Sequence, residues 1–298
     1  MRRLVRTAAA VGVAVAVAAL PSAAPAGAPA GAGGPQPVGS ATAGGPQPTG
    51  RRPVTGVPRP TGGAPAAREP EVVGGAPAPR GRYPWVVRLS TGCGGSLVGR
   101  RHVLTAAHCV GPSRRTGAIT VTAGVADLAA PGALRARSAR VFRAPGYRSA
   151  TQGRDWAVVE LQRDLDLPVL RLSPGADRGI FTVLGWGATR ERGPAQRRLR
   201  VARVPLVGDG VCAASYRASG FDFVPAEMLC AGRAREGGVD ACQGDSGGPL
   251  VRRDDAGRWV QAGIVSWGYG CGRPGYPGVY TEVATFAGEI TALLRARS

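Results

Sequence analysis

From Glu71 onward the sequence consists of short apolar runs separated by glycine, proline and aspartate, and this pattern limits the fold more than any other feature. Runs of three to seven residues suit β-strands better than helices. Many short strands with turn residues between them are typical of an all-β barrel or sandwich. The candidate strands are Trp85–Leu89, Val103–Thr105, Ile119–Ala123, Ala157–Leu161, Thr182–Leu184, Val201–Leu206, Leu250–Arg252, Val260–Ser266 and Gly278–Val283.

Two other features complete the predicted architecture. Apolar residues recur at spacings of three and four between Phe286 and Leu294, which predicts one helix at the end of the chain. A segment with proline, glycine and aspartate from Pro168 to Asp177 divides the candidate strands into two sets. We therefore predict a boundary between two β units at this segment.

The chain begins with two segments that do not read as part of a folded domain. Residues 1–26 contain three arginines, an apolar run of 13 residues from Ala8 to Leu20, and small residues at 24–26. This is the pattern of a secretory signal peptide, and the run is too short to span a bilayer. Residues 27–71 are rich in proline, glycine and alanine and repeat the string GGPQP, so they cannot form a core. They are either a flexible spacer or a disordered propeptide, and their position before the domain at 72–298 favours the propeptide.

Composition excludes several function classes. Of the 298 residues, 44% are hydrophobic, which is enough to bury a sizeable core. The net charge of +19 comes from arginines spread along the chain rather than from a basic run, so nucleic-acid binding is not expected. Six cysteines, an even number in an exported chain, favour three disulfides over metal or redox chemistry.

The segment Asp240–Leu250 (DACQGDSGGPL) holds a candidate nucleophile. A serine hydroxyl attacks a carbonyl only if a base takes its proton and hydrogen-bond donors receive the charge on the oxygen. Gly244 leaves room for such a carbonyl to reach the backbone N–H groups of Gly244 and Ser246. By itself the string is also compatible with a surface turn rich in glycine, aspartate and serine.

The base and the acid that orients it come from the first set of strands. Of the two histidines, His108 follows an apolar strand beside a cysteine, whereas His102 follows two arginines and suits a solvated or structural role. Asp155 precedes a fully apolar run, where an unpaired carboxylate would be costly. The remaining acids of this region lie in polar stretches and are expected in solvated loops, namely Asp127, Asp164 and Asp166.

The strings TAAHC, DWAVVEL, GDSGGPL and SWGYGCGRPGYPGVY occur in this order, and the chain from Val72 to its C-terminal helix resembles the chymotrypsin-like serine endopeptidases, in particular secreted actinomycete trypsins. The resemblance implies an all-β fold of two six-stranded antiparallel β-barrels, at about 72–172 and 173–283, with the active site between them and a C-terminal α-helix at about 284–295. It also implies that His108 is the general base, Asp155 orients it, Ser246 attacks, and the N–H groups of Gly244 and Ser246 form the oxyanion hole.

The resemblance assigns further residues. It implies the disulfides Cys93–Cys109, Cys212–Cys230 and Cys242–Cys271. It implies a primary pocket with Asp240 at its base and walls from Ala241, Ser266, Trp267, Gly268 and Gly278, which would select Arg or Lys. Because Ala241 offers no hydroxyl to a lysine ammonium, whereas a guanidinium reaches the carboxylate in bidentate fashion, we expect Arg to be preferred.

Activation and partners follow from the same resemblance. Cleavage before Val72 would release an α-amino group that pairs with Asp245, so we expect a zymogen; because Glu71 precedes the cut, another protease should make it. The expected protein is secreted and monomeric, acts on protein or peptide substrates, meets a protein inhibitor, and uses neither nucleic acid, membrane, catalytic metal nor cofactor. A structural calcium ion is left open. The alternative is a catalytically inactive relative that binds acidic partners through its basic surface.

Overall fold

The computed structural model describes Val73, residues 75–175 and residues 178–297. The predicted signal peptide and propeptide, and Val72, lie outside these residues. The first half of the described chain contains the strands β1 Ala76–Pro77, β2 Val86–Leu89, β3 Gly94–Gly99, β4 His102–Thr105, β5 Arg114–Arg115, β6 Thr120–Ala123, β7 Leu134–Arg143 and β8 Ala157–Leu161. The second half contains β9 Arg171–Leu172, β10 Ile180–Gly185, β11 Arg200–Val207, α1 Asp209–Arg217, β12 Met228–Ala231, β13 Pro249–Arg253, β14 Trp259–Trp267, β15 Gly278–Glu282 and α2 Val283–Arg295.

Six strands of the first half close into a barrel. The antiparallel pairs run β2–β3–β4–β8–β7–β6 and return to β2, with β5 added at β7. The barrel interior is filled by branched apolar side chains that are fully buried, among them Val87, Leu97, Val103 and Val158. Closure leaves no free edge within this ring.

The second barrel has the same construction. Its antiparallel pairs run β10–β11–β12–β15–β14–β13 and return to β10. β1 pairs with β11, and β9 from the connecting segment pairs parallel with β14. The structure therefore has the predicted two six-stranded antiparallel barrels and a C-terminal helix, whose buried side chains include Phe286 and Ile290.

Several elements were not predicted from the sequence. β3 (GGSLVG) is half glycine, and β7 (LRARSARVFR) alternates arginine with small or apolar residues, so neither gives a plain apolar run. A second helix, α1, precedes β12 and was not predicted. Its apolar stripe is short, and its buried residues are Cys212 and Tyr216, which anchor it through a disulfide and aromatic contacts rather than through a helical apolar face.

Candidate active site

His108 and Asp155 meet because their strands are neighbours. His108 follows β4 in a single 3₁₀ turn, Ala107–Cys109, and the disulfide Cys93–Cys109 fixes that turn. Asp155 lies just before β8, which pairs antiparallel with β4. The end of one strand therefore lies beside the start of the other, and Asp155 Oδ2 is 2.8 Å from His108 Nδ1. The backbone N–H of His108 donates to Asp155 Oδ1 at 2.9 Å.

The second barrel supplies two further donors to Asp155. Ser266 Oγ, on β14, donates to Asp155 Oδ2 at 2.5 Å, and Thr281 Oγ1, on β15, donates to the Asp155 carbonyl at 2.9 Å. Asp155 is only 1% exposed, so the bonds from Ser266 and from the His108 N–H replace the water that its carboxylate loses on burial, while the bond from Thr281 holds its backbone. Ser266 was assigned to the pocket wall from the resemblance, whereas Thr281 carried no sequence signal.

The loop that carries Ser246 packs against the turn of His108. The backbone N–H of Gly94 donates to the Ser246 carbonyl at 2.8 Å. The next residue, Gly247, has a φ of +77°, and a Cβ there would lie 2.2 Å from Thr105 Oγ1 and 3.1 Å from the backbone nitrogen of Ala106. Only glycine permits this approach, which brings Ser246 beside the residues that precede His108.

In the described residues, no hydrogen bond joins Ser246 Oγ to the His108 ring. The His108 side chain is 28% exposed, and its Nδ1 is occupied by Asp155. Nε2 is therefore the nitrogen that remains for the serine. Such bonds are often long in a free enzyme and shorten when substrate binds.

Two backbone N–H groups near Ser246 are available to a substrate oxygen. Among the described residues, neither the N–H of Gly244 nor that of Ser246 donates to a protein acceptor. Gly244 has a φ of +97°, and a Cβ there would lie 3.1 Å from the Cα of Gly187. A side chain at this position would have to displace the neighbouring backbone.

A cavity of about 140 Å³ opens beside Ser246. Its lining includes every residue predicted for the primary pocket, namely Asp240, Ala241, Ser266, Trp267, Gly268 and Gly278. A Cβ at Gly278 would lie 2.4 Å from Asp240 Oδ1, so a side chain there would cover the carboxylate. At Gly268 the nearest atom to such a Cβ is 3.6 Å away. The cavity is thus a slot with a carboxylate at its base.

Asp240 is held by the backbone, and the described residues place no cation beside it. The N–H groups of Ala241 and Gly272 donate to its two oxygens at 2.8 and 3.1 Å. Burial outweighs these bonds and raises the pKa of Asp240 to about 7. Nearby, the hydroxyl of Tyr280 is buried without a hydrogen-bond partner within the described chain, and Ala241 cannot provide one. Sequence reasoning did not find Tyr280.

Asp245 is the second buried carboxylate of this loop. It is 1% exposed and accepts hydrogen bonds from the backbone N–H groups of Gly187 at 2.7 Å and Cys242 at 3.0 Å. Burial raises its pKa to about 6. Its predicted partner, Val72, lies outside the described residues. The neighbouring Val73 accepts a hydrogen bond from the Asp240 N–H at 3.2 Å and packs against the Cys242–Cys271 disulfide.

The remaining candidates lie away from this site. His102 is buried at the start of β4, and the surface acids pair with arginines: Asp127 with Arg197 at 3.0 Å, and Asp164 with Arg100 at 3.2 Å. Asp166 also pairs with Arg100. The three predicted disulfides are all present. No helix of the described chain is both long and apolar enough to cross a membrane.

Comparisons with known proteins agree with this arrangement. The family model described as Trypsin matches residues 72–290. A trypsin-like protease of Streptomyces glaucescens is 52% identical over 211 residues, which cover 70% of this chain and 76% of that protein. The human Serine protease 56 is 40% identical over 237 residues, and the rat Transmembrane protease serine 9 is 38% identical over 229 residues. The aligned regions are 38% and 21% of those two longer proteins.

Proposed function

Because the chain belongs to the trypsin family and is a serine endopeptidase, we propose that it cleaves protein substrates after Arg, and less efficiently after Lys. The observation that carries this specificity is Asp240, a buried carboxylate in the lining of the slot, beside which the described residues place no cation. A guanidinium or ammonium entering the slot supplies the missing charge, whereas an apolar side chain leaves the carboxylate unpaired.

The preference for Arg rests on the wall of the slot. Asp240 presents two oxygens, which match the planar fork of a guanidinium. A lysine ammonium is shorter and needs additional acceptors at its end. Ala241 offers no side-chain acceptor, whereas the Tyr280 hydroxyl lies in the same lining without a hydrogen-bond partner in the described chain. Arg therefore satisfies more of its donors in this slot than Lys does.

The catalytic roles that we propose follow from the geometry of the loop. Asp155 keeps the proton of His108 on Nδ1, so Nε2 takes the proton of Ser246 as its Oγ attacks the peptide carbonyl. The N–H groups of Gly244 and Ser246 receive the negative charge on the carbonyl oxygen. His108 then gives its proton to the leaving amine, and a water molecule hydrolyses the acyl-enzyme with the same base.

We also propose that the protein is secreted and is made as an inactive precursor. The arginines and apolar run at the N-terminus support secretion, as do the three disulfides. Asp245 supports activation, because burial raises its pKa even with the positive charge of Arg88 nearby, and an α-amino group at Val72 would provide a further cation. Since Glu71 does not suit a pocket with an acidic base, a different protease should cut before Val72.

Hydrolysis of matched peptide p-nitroanilides ending in Arg, Lys or Phe tests this proposal on protein processed to begin at Val72. We expect the highest kcat/KM for Arg, a lower value for Lys and none for Phe, with no turnover by Ser246→Ala. Equal turnover by the serine variant would remove the mechanism. Absence of turnover by the processed wild type would favour a binding protein, and a mature protein that starts elsewhere would refute the activation site.

A further inference from the structure

Arg88 reaches the active-site loop from the opposite barrel. It lies on β2, in the first barrel, 156 residues from the carbonyl that it binds. Its Nη1 donates to the carbonyl oxygen of Gly244 at 2.6 Å. Gly244 is one of the two residues whose N–H groups are proposed to hold the oxyanion. The contact therefore holds a residue of the proposed oxyanion hole.

The contact completes a set of anchors along the loop. All four carbonyl oxygens of residues 243–246 accept hydrogen bonds within the described chain. Three bind backbone N–H groups at 2.8 Å, those of Ala188, Gly248 and Gly94. The fourth, that of Gly244, binds Arg88. Arg88 is therefore the one side chain among these four anchors.

Anchoring these carbonyls determines where the N–H of Gly244 points. In a trans peptide the C=O and N–H groups point in opposite directions. The Gln243 carbonyl is bound by Ala188, so the Gly244 N–H of the same peptide faces away from Ala188. Glycine allows rotations closed to other residues, and Gly244 lies at a φ of +97°. The bond from Arg88 holds the carbonyl of Gly244 itself. With the preceding carbonyl bound by Ala188, the backbone of Gly244 is restrained at both of its peptide groups.

The charge of Arg88 also suits this position. Burial lowers the pKa of its guanidinium, and the negative charge of Asp245 opposes that effect. Arginine nonetheless remains charged in proteins, so the bond to Gly244 is charge-assisted and stronger than a neutral one. In the described part of the chain, Arg88 is the cation that favours ionisation of Asp245.

We propose that Arg88 is a positioning residue for the oxyanion hole. It holds the Gly244 carbonyl, and thereby keeps the Gly244 N–H directed at the oxygen of the transition state. The proposal rests on the proposed peptidase mechanism. Arg88 touches neither substrate nor reacting atoms, so its loss should weaken transition-state binding while leaving the primary pocket intact.

The test compares Arg88→Met and Arg88→Lys with wild type, all processed to begin at Val72. Three quantities are measured: kcat and KM on an Arg p-nitroanilide, the Ki of benzamidine, which occupies only the pocket, and the Ki of a peptide arginine aldehyde, whose adduct with Ser246 places an oxygen in the oxyanion hole. Arg137→Met is the matched control, because Arg137 is exposed on β7 of the same barrel.

For Arg88→Met we expect kcat to fall about 10- to 100-fold, the range for loss of one hydrogen bond to a charged group. The aldehyde Ki should rise by the same factor, and the benzamidine Ki should stay within about twofold of wild type. Arg88→Lys, which keeps the charge but not the planar fork, should lie between Arg88→Met and wild type. Arg137→Met should match wild type in all three.

Two results would overturn the proposal. An unchanged kcat and aldehyde Ki in Arg88→Met would show that the contact does not direct the loop. A benzamidine Ki that rises as much as the aldehyde Ki would show a general structural role instead. If Arg88→Met does not fold, the same comparison is made on Arg88→Lys. Failure of the proposed function is distinguishable, because wild type and Arg137→Met would then also be inactive.

Discussion

Asp240 should make the affinity of the primary pocket for cations depend on pH across the neutral range. Burial raises the pKa of Asp240 in the empty pocket to about 7. At pH 9 the carboxylate is almost fully ionised, whereas at pH 6 about one molecule in ten is ionised. A cation binds the ionised form, so benzamidine should bind about tenfold more weakly at pH 6 than at pH 9, a difference of about 1.4 kcal/mol.

The sign follows from linkage. The bound amidine favours the carboxylate anion, so the pKa of Asp240 is lower in the complex than in the free protein. Below the free pKa, binding must therefore release a proton, so the affinity decreases as the pH is lowered. Above about pH 8 the carboxylate is ionised in both states, so the affinity becomes independent of pH.

Calorimetric titration at several pH values between 6 and 9 measures the affinity for benzamidine and the number of protons released on binding. The variant His108→Ala is used, so that no imidazole in the site contributes to the proton count. Measurements stop at pH 6 because the pKa of Asp245 is about 6. Repeating each titration in buffers of different ionisation enthalpy counts the protons released, and we expect close to one at pH 6 and none at pH 9. Equal affinity at pH 6 and 9, or no proton release at pH 6, would refute the reasoning.

Three further outcomes are expected. Asp240→Asn should raise the free energy of unfolding above pH 8 by up to about 4 kcal/mol, since the native pKa of about 7 lies well above the ordinary 3.8; denaturant titration measures this, and a less stable variant would contradict it. Ala241→Ser should raise kcat/KM for Lys relative to Arg severalfold, because the hydroxyl gives the ammonium an acceptor; an unchanged ratio would contradict this. Ser266→Ala removes the 2.5 Å donor to Asp155 and should lower kcat about tenfold at constant benzamidine Ki; an unchanged kcat would show that the remaining donors hold Asp155 unaided.

The all-β class and the candidate residues His108 and Asp155 could be predicted because their signals are local, whereas the two six-stranded barrels were implied by the family resemblance. Apolar runs such as Ala157–Leu161 match observed strands directly. His108 follows one such run and Asp155 precedes another, and antiparallel pairing of β4 with β8 brings the two together. β7 was not predicted because its arginines interrupt the apolar pattern. The arginines point outward, and only the small and apolar residues between them fill the barrel interior.

The supports of the site could not be predicted from the sequence, because they join distant segments. Thr281 is 126 residues from the carbonyl it binds on Asp155, and Arg88 is 156 residues from Gly244. Each lies in an ordinary strand, where a threonine or an arginine usually faces a neighbouring strand or solvent. Only the packing of one barrel against the other gives these side chains their partners.

The two buried carboxylates of the Ser246 loop explain why one short segment can control both activity and specificity. Asp240 and Asp245 are five residues apart, and burial raises the pKa of each. Each is bound by two backbone N–H groups, which compensate only part of the lost hydration. On the proposed mechanism, the new N-terminus at Val72 adds a second cation for Asp245 besides Arg88, and the substrate supplies the cation for Asp240. The unfavourable free energy of burying these charges is then recovered in two separate events, so that activation stabilises the loop first and substrate binding stabilises its pocket second.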